Sequence, residues 1–247
     1  GQNMGLVVAD WKKWWEVAEA RFEFPKGDEQ AFTSVKAYGL DYFGIEISSK
    51  RLTFVVDVSG SMRAVVKVKK RQEPEPEAPG SNGRTVPVPA GGDDDAGKLG
   101  DSAQKIEVLK VELARVIKKL PADTSINIIL FDGQFRPWQK ELQSLAGRGR
   151  DKALEFVRSI STGGGTNVFD SLEHALEDRR VDTIYLMTDG EPTRGRITDP
   201  DGIVTEIERL NRVRGVTIHC IAFGEESDLL KRLAAGNGGD YRFVDEY

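Results

Sequence analysis

The stretch Leu52-Thr-Phe-Val-Val-Asp57-Val-Ser-Gly-Ser-Met62 decides the fold of this 247-residue chain. It opens with apolar and β-branched residues, which are typical of a strand buried on both faces of a parallel sheet. The strand ends at Asp57, and Ser59 and Ser61 follow at alternate positions. This spacing can turn three oxygen-bearing side chains toward one point above the edge of the sheet. The stretch therefore predicts a functional site at the carboxyl end of a buried strand.

Strands and helices alternate along the rest of the chain. Apolar residues at helical spacing predict helices over 106–120, 151–160, 168–178, 202–213 and 228–235, and apolar runs predict strands over 125–131, 183–187, 216–223 and 241–244, with a short edge strand near 135–139. Such alternation is typical of an α/β domain, in which helices cover both faces of a mostly parallel sheet.

Residues 1–50 differ in composition from the domain that we expect at 51–247. Asp10 can cap a short helix in which Trp11, Trp14 and Trp15 lie on one face, so this extension is predicted to carry a Trp-rich helix. The first residue is Gly rather than Met, and we expect the chain to be a piece of a longer protein. Nothing in the sequence assigns a cellular compartment.

The segment 71–100 interrupts the α/β pattern. It has five prolines, six glycines and no aromatic residue, and it contains the acidic run Asp93-Asp94-Asp95. Such a composition buries too little apolar surface to offset the entropy of ordering the chain. We therefore interpret this segment as a disordered insertion between the first strand and the first helix of the domain.

Composition and charge exclude several classes of function. The 35 basic and 40 acidic residues leave a net charge of −5, which disfavours binding to nucleic acid. No apolar run is long enough to span a bilayer as a helix. Cys220 is the only cysteine, which excludes an internal disulfide and a cysteine-built zinc site. With two histidines in the chain, a His-rich catalytic metal site is disfavoured.

Five side chains offer only hydroxyl or carboxylate oxygens at predicted strand ends and turns. Thr166 follows a Gly-rich turn and opens a helix, and Asp189 ends another buried strand. The five candidate metal ligands are Asp57, Ser59, Ser61, Thr166 and Asp189. Oxygen ligands of this kind suit hard cations such as Mg²⁺ or Mn²⁺ rather than zinc or copper.

Three separate motifs carry a resemblance to a known family. Asp57-Val-Ser-Gly-Ser61, Gly164-Gly-Thr166-Asn and Thr188-Asp-Gly190 resemble a complete metal-ion-dependent adhesion site of von Willebrand factor type A (VWA) domains. The resemblance implies a doubly wound, Rossmann-like sheet of strand order 3-2-1-4-5-6. That order reverses between the first and fourth strands, whose ends carry Asp57 and Asp189, so both carboxylates are expected beside one crevice.

The same resemblance implies roles for the site residues. Ser59, Ser61 and Thr166 would bind the metal directly, whereas Asp57 and Asp189 would act mainly through ordered waters. The implied ion is Mg²⁺, with Mn²⁺ or Ca²⁺ as alternatives. The Trp-rich helix and Tyr42-Phe-Gly-Ile45 also resemble bacterial VWA proteins in which helical, HEAT-like repeats precede the domain.

The leading functional hypothesis is a non-enzymatic adhesion module. Neutral hydroxyl ligands leave the ion electrophilic, so an open coordination position can take an Asp or Glu carboxylate from a protein partner. A second hypothesis is a metal-dependent, phosphatase-like hydrolase with a strand-end Asp as nucleophile. Ser59 stands where such enzymes carry a second Asp, which disfavours it. A third hypothesis is a structural scaffold whose metal site only stabilises an assembly.

Overall fold

The computed structural model describes residues 39–68 and 99–247. The predicted Trp-rich helix and residues 71–98 of the predicted insertion lie outside the described residues. The strands are β1 (Asp41–Tyr42), β2 (Ile45–Glu46), β3 (Arg51–Asp57), β4 (Val65–Lys67), β5 (Ser102–Gln104), β6 (Ser125–Phe131), β7 (Phe135–Pro137), β8 (Gln143–Ser144), β9 (Thr183–Thr188), β10 (Thr217–Phe223) and β11 (Tyr241–Val244). The helices are α1 (Lys105–Lys119), α2 (Gly149–Arg158), α3 (Val168–Glu177), α4 (Pro200–Asn211) and α5 (Asp228–Gly236).

The central sheet has the strand order β7-β6-β3-β9-β10-β11. The pairs β3–β6, β3–β9, β9–β10 and β10–β11 are parallel, and β7 and β8 both pair antiparallel with β6. Counted within this sheet, with β8 left aside, the order is 3-2-1-4-5-6, so the predicted α/β class and strand order are confirmed. The strand order reverses between β3 and β9, where ligands of open α/β sheets bind.

Helices cover both faces of the sheet because the buried strands are apolar on both sides. Phe54 and Val56 of β3 belong to a core cluster with α1 and α2, and Val55 belongs to a second cluster with α3, α4 and α5. Both clusters contain side chains that are fully buried, so the sheet edge above β3 is held in place from two sides.

The hairpin β1–β2 packs into the first of these clusters. Tyr42 is fully buried and its ring centroid lies 5.0 Å from that of Phe54. Phe43 adopts a positive φ of 49°, and its N–H donates to the buried carboxylate of Glu112 at 3.1 Å. Residues 39–50, which we predicted to belong to the extension, pack with the domain, since Leu40, Tyr42, Phe43, Ile45 and Ile47 all belong to the first core cluster. The hairpin packs with the domain because its aromatic side chains are buried there. Its strands have two residues each, which is too short for a periodic pattern that would have indicated this in the sequence.

Within the described residues, no helix is both long enough and apolar enough to cross a bilayer. The predicted element boundaries agree with the observed ones to within a few residues, and the edge strand near 135–139 is β7. Proline at the end of β7 fits an edge position, since proline lacks the N–H that an interior ladder requires.

Candidate functional site

Asp57 is the buried anchor of the candidate site. It ends β3 and its exposed fraction is 0%. One carboxylate oxygen accepts a hydrogen bond of 2.7 Å from the N–H of Ser59, and the other accepts one from the hydroxyl of Thr188, the last residue of β9. Burial raises the pKa of Asp57 to about 6, and the charge of Asp189 adds to this, although both hydrogen bonds oppose the rise. A cation beside this carboxylate would favour its charged form.

Ser59 and Ser61 continue from Asp57 along a tight turn. The chain after Ser59 forms a 3₁₀ turn, Gly60–Arg63, which is held down by the fully buried Met62. The two serine hydroxyls lie 2.9 Å apart, and Ser61 donates to Asp189 Oδ1 at 2.7 Å. The structure therefore brings Asp57, Ser59, Ser61 and Asp189 into one continuous set of hydrogen bonds.

Thr166 is placed by the Gly-rich loop that precedes α3. Gly163 N–H donates to the carbonyl of Val58 at 2.7 Å, which joins this loop to the end of β3. The N–H of Thr166 donates to the hydroxyl of Thr193 at 3.0 Å, and Thr193 N–H donates back to the carbonyl of Thr166 at 2.9 Å. Thr166 is buried, and its two hydrogen bonds with Thr193 join it to the loop that follows β9.

Lys105 is a functional-site residue that the sequence analysis missed. It is the first residue of α1, and its ammonium lies 2.8 Å from Asp189 Oδ2, with both side chains buried. A signal for it exists, because Lys105, Leu109 and Glu112 lie on one face of α1 at positions i, i+4 and i+7. A charged residue on an otherwise apolar face indicates a buried partner.

The donor set fits a hard divalent cation. The five predicted side chains offer hydroxyl and carboxylate oxygens, and the described residues contain no cluster of three His, Cys, Asp or Glu side chains that could form a different kind of metal centre. Asp57, Ser59, Ser61 and Asp189 lie together at the reversal of strand order, and Thr166 lies on the Gly-rich loop that is hydrogen-bonded to the end of β3. The assignment of these five residues as metal ligands remains a prediction.

Two exposed arginines flank the site. Arg63 Nε donates to Thr162 Oγ1 at 2.7 Å, beside the Gly-rich loop. A Cβ added to Gly165, which has a φ of +80°, would lie 2.7 Å from Cγ of Arg194, so the Arg194 side chain covers this glycine. The rim of the crevice therefore carries positive charge on two sides.

A sequence model of the von Willebrand factor type A domain matches residues 97–243, more than half of the chain. The human von Willebrand factor A domain-containing protein 3B is 27% identical over 144 residues, which cover 56% of this chain and 11% of that protein. The chain thus spans a small part of this curated relative. The matched range of the family model begins after Asp57, Ser59 and Ser61, so their place in the site is seen in the geometry alone.

Solved structures show the same fold. The von Willebrand factor type A structure from Catenulispora acidiphila has a TM-score of 0.56 at 16% identity, covering 81% of this chain and 39% of that one. Proximal thread matrix protein 1 from the mussel byssus was solved with a zinc-occupied MIDAS (metal-ion-dependent adhesion site) motif. It has a TM-score of 0.50 at 16% identity, and the match covers 78% of this chain and 41% of that one.

Proposed function

The chain belongs to the von Willebrand factor type A domain family, and from this we propose that it is a protein-binding module that depends on a divalent cation. Domains of this family are typically protein-interaction modules. The observation that carries the proposal is the continuous hydrogen bonding of Asp57, Ser59, Ser61 and Asp189 at the reversal of strand order. This arrangement gathers hard oxygen ligands where an open α/β sheet receives its ligand.

The metal would be held by side chains of three loops. The hydroxyls of Ser59, Ser61 and Thr166 would be direct ligands, and the carboxylates of Asp57 and Asp189 would act mainly through ordered waters. Mg²⁺ is the expected ion, with Mn²⁺ or Ca²⁺ as alternatives. The zinc-occupied motif of the mussel protein supports the binding of a divalent metal by a domain of this fold. When bound, the cation supplies an electrophilic centre for an oxygen of the partner.

The partner is proposed to be a protein that presents Asp or Glu to the cation. Neutral hydroxyl ligands leave the ion short of negative charge, which a carboxylate from outside supplies. The exposed Arg63 and Arg194 on the rim favour the approach of an acidic segment. Both features support an adhesion role over a scaffold in which the metal has no external ligand.

The burial of Asp57 supports a binding role over the phosphatase-like alternative. A nucleophilic carboxylate needs a free oxygen that can reach the substrate. Asp57 is fully buried and both of its oxygens accept hydrogen bonds. A phosphatase assay with a generic aryl phosphate and Mg²⁺ tests this alternative, and turnover that is lost in Asp57→Asn would contradict a purely binding role.

Protein capture with and without metal tests the proposed function. Immobilised wild-type protein is incubated with extract in Mg²⁺ or EDTA, beside Thr166→Ala and the control Thr205→Ala, which removes an exposed hydroxyl on α4. We expect wild type and Thr205→Ala to retain a partner in Mg²⁺, and we expect this partner to be lost in EDTA and in Thr166→Ala. The proposal is supported if replacing an Asp or Glu of that partner also abolishes its binding. Equal capture in EDTA contradicts it.

A further inference from the structure

The ammonium group of Lys105 forms a buried ion pair with Asp189, one of the proposed residues of the metal site. It donates to Asp189 Oδ2 at 2.8 Å, while Ser61 donates to Asp189 Oδ1 at 2.7 Å. The side chain of Asp189 is 0% exposed and that of Lys105 is 10% exposed. Both oxygens of Asp189 are thus engaged by groups of this chain itself.

The protein has a shaped compartment for this ammonium group. The Nζ of Lys105 lies 5.8 Å from the ring centroid of Phe223, within range of a cation–π contact. Gly224 adjoins it with a φ of +93°, and a Cβ there would lie only 2.7 Å from Nζ. The N–H of Lys105 donates to the carbonyl of Ala64 at 2.9 Å, which fixes the start of α1 beside the turn that carries Ser61. The absence of a side chain at Gly224 therefore leaves room for the Lys105 ammonium, and the hydrogen bond to Ala64 fixes where the lysine side chain begins.

The charge balance of the site changes because of this residue. Asp57 and Asp189 together bring two formal negative charges when both are ionised, and Lys105 removes one of them. A divalent cation then faces one net negative charge from the protein instead of two. A like charge close to the metal opposes its binding, and an ion left with excess positive charge attracts an external anion more strongly.

We propose that Lys105 is a positioning residue that neutralises Asp189, so that the site binds a divalent cation weakly by itself and tightly only when a partner carboxylate completes it. This inference rests on the proposed function. It adds that the metal and the acidic partner bind cooperatively, and that the fold without metal tolerates the buried Asp189 because Lys105 pairs with it.

The test compares Lys105→Met with Lys110→Met, which removes the same charge from α1 at a residue paired with Glu107 away from the site. Mn²⁺ affinity is measured by electron paramagnetic resonance, and the melting temperature is measured in EDTA and in Mn²⁺. We expect Lys105→Met to bind Mn²⁺ about tenfold more tightly than wild type, since a nearby like charge is lost. We also expect it to melt lower in EDTA and to recover more in Mn²⁺, while Lys110→Met stays at wild-type values.

A double variant separates charge from packing. Lys105→Met with Asp189→Asn removes both charges of the buried ion pair, so in EDTA it is expected to melt near wild type and above Lys105→Met alone, in which Asp189 is left without its cation. A double variant that melts as low as the single one would overturn the inference, because the lysine would then act by packing. The double variant also provides a folded protein if the single one aggregates.

The outcomes distinguish this inference from the proposed function. If wild type binds Mn²⁺, Thr166→Ala loses this binding and Lys105→Met has unchanged affinity, then the role of Lys105 is overturned and the proposed function stands. Mn²⁺ binding by Lys105→Met that is too weak to detect in wild type supports the role of Lys105, and equal protein capture by wild type in Mg²⁺ and in EDTA would then contradict the proposed function. Absence of Mn²⁺ binding in both proteins overturns both.

Discussion

The hydroxyl of Ser61 donates a hydrogen bond of 2.7 Å to Asp189 Oδ1, although 128 residues separate the two in the chain. The contact forms because β3 and β9 are parallel neighbours, so the loops that follow them leave the same edge of the sheet. It joins two of the motifs in one hydrogen-bonded set, and the candidate site depends on both loops at once.

Replacing Ser61 is expected to weaken metal binding without unfolding the protein. Ser61→Ala removes a proposed direct ligand and the hydrogen bond that orients Asp189, so we expect Mn²⁺ affinity to fall at least about tenfold. The control Ser144→Ala changes an exposed serine on β8 and should bind as wild type does. Titration of both variants with Mn²⁺ checks this, and an unchanged affinity in Ser61→Ala would remove Ser61 from the ligand set.

Neutralising Asp57 is expected to stabilise the metal-free protein. Its pKa is about 6 in the folded state against an ordinary value of 3.8, so the folded protein binds this proton more tightly than the unfolded chain does. The free energy of unfolding therefore falls as pH rises through this window, by about 3 kcal/mol. In Asp57→Asn, the amide oxygen can still accept from Ser59 N–H, and the cost of the buried charge is gone.

Denaturation in EDTA across pH checks this expectation. Asp57→Asn should exceed wild type in stability at pH 7.5, and the gain should shrink as pH falls from 6 toward 4, where wild-type Asp57 becomes protonated. In Mn²⁺ the gain should also shrink, because only the wild type keeps the carboxylate that favours the metal. A gain that does not vary with pH would point to packing instead of charge.

Two glycines with positive φ provide a matched pair for testing the compartment around Lys105. At Gly215, φ is +62° and nothing lies within 4 Å of an added Cβ, so Gly215→Ala should cost only backbone strain, about 1 kcal/mol. At Gly224 an added Cβ would also meet the Lys105 ammonium. Gly224→Ala should therefore lose about 1 to 3 kcal/mol more. Urea denaturation of both variants measures the difference, and equal losses would mean that Lys105 moves aside freely.

The thiol of Cys220 is expected to be inert in the folded protein. Cys220 lies within β10, it is fully buried, and this burial raises its pKa well above the ordinary value for a thiol. Because the thiolate is the reactive form, an aromatic disulfide reagent at pH 8 should label the native protein slowly, at the rate at which local or global unfolding exposes Cys220. Labelling should become immediate in concentrated guanidinium chloride. Fast labelling of the native protein would show that β10 opens readily.

Most of the α/β architecture could be predicted from local patterns. The apolar run that ends at Asp57 is long and uninterrupted, and strands buried on both faces of a parallel sheet require such runs. Helical spacing and the turn residues between elements then defined the alternation, and the strand order followed from the resemblance. Asp57, Ser59, Ser61, Thr166 and Asp189 could be named as candidates because their hydroxyls and carboxylates fall at strand ends and at a Gly-rich turn, and because the three motifs that contain them together resemble the adhesion site of VWA domains.

Only the tertiary structure revealed the charges buried among apolar residues. Lys105 and Glu112 lie on the apolar face of α1, where local patterning predicts hydrophobic side chains. Burying a charge is favourable only when a partner of suitable geometry is present. Asp189 pairs with Lys105, and Glu112 accepts from the Phe43 N–H and the Tyr247 hydroxyl. Glu112 also pairs with Arg115 one turn along α1, but the other partners come from distant parts of the chain. Hydrophobic periodicity records which residues leave water, whereas the pairing of buried charges depends on which strands and loops the fold brings together.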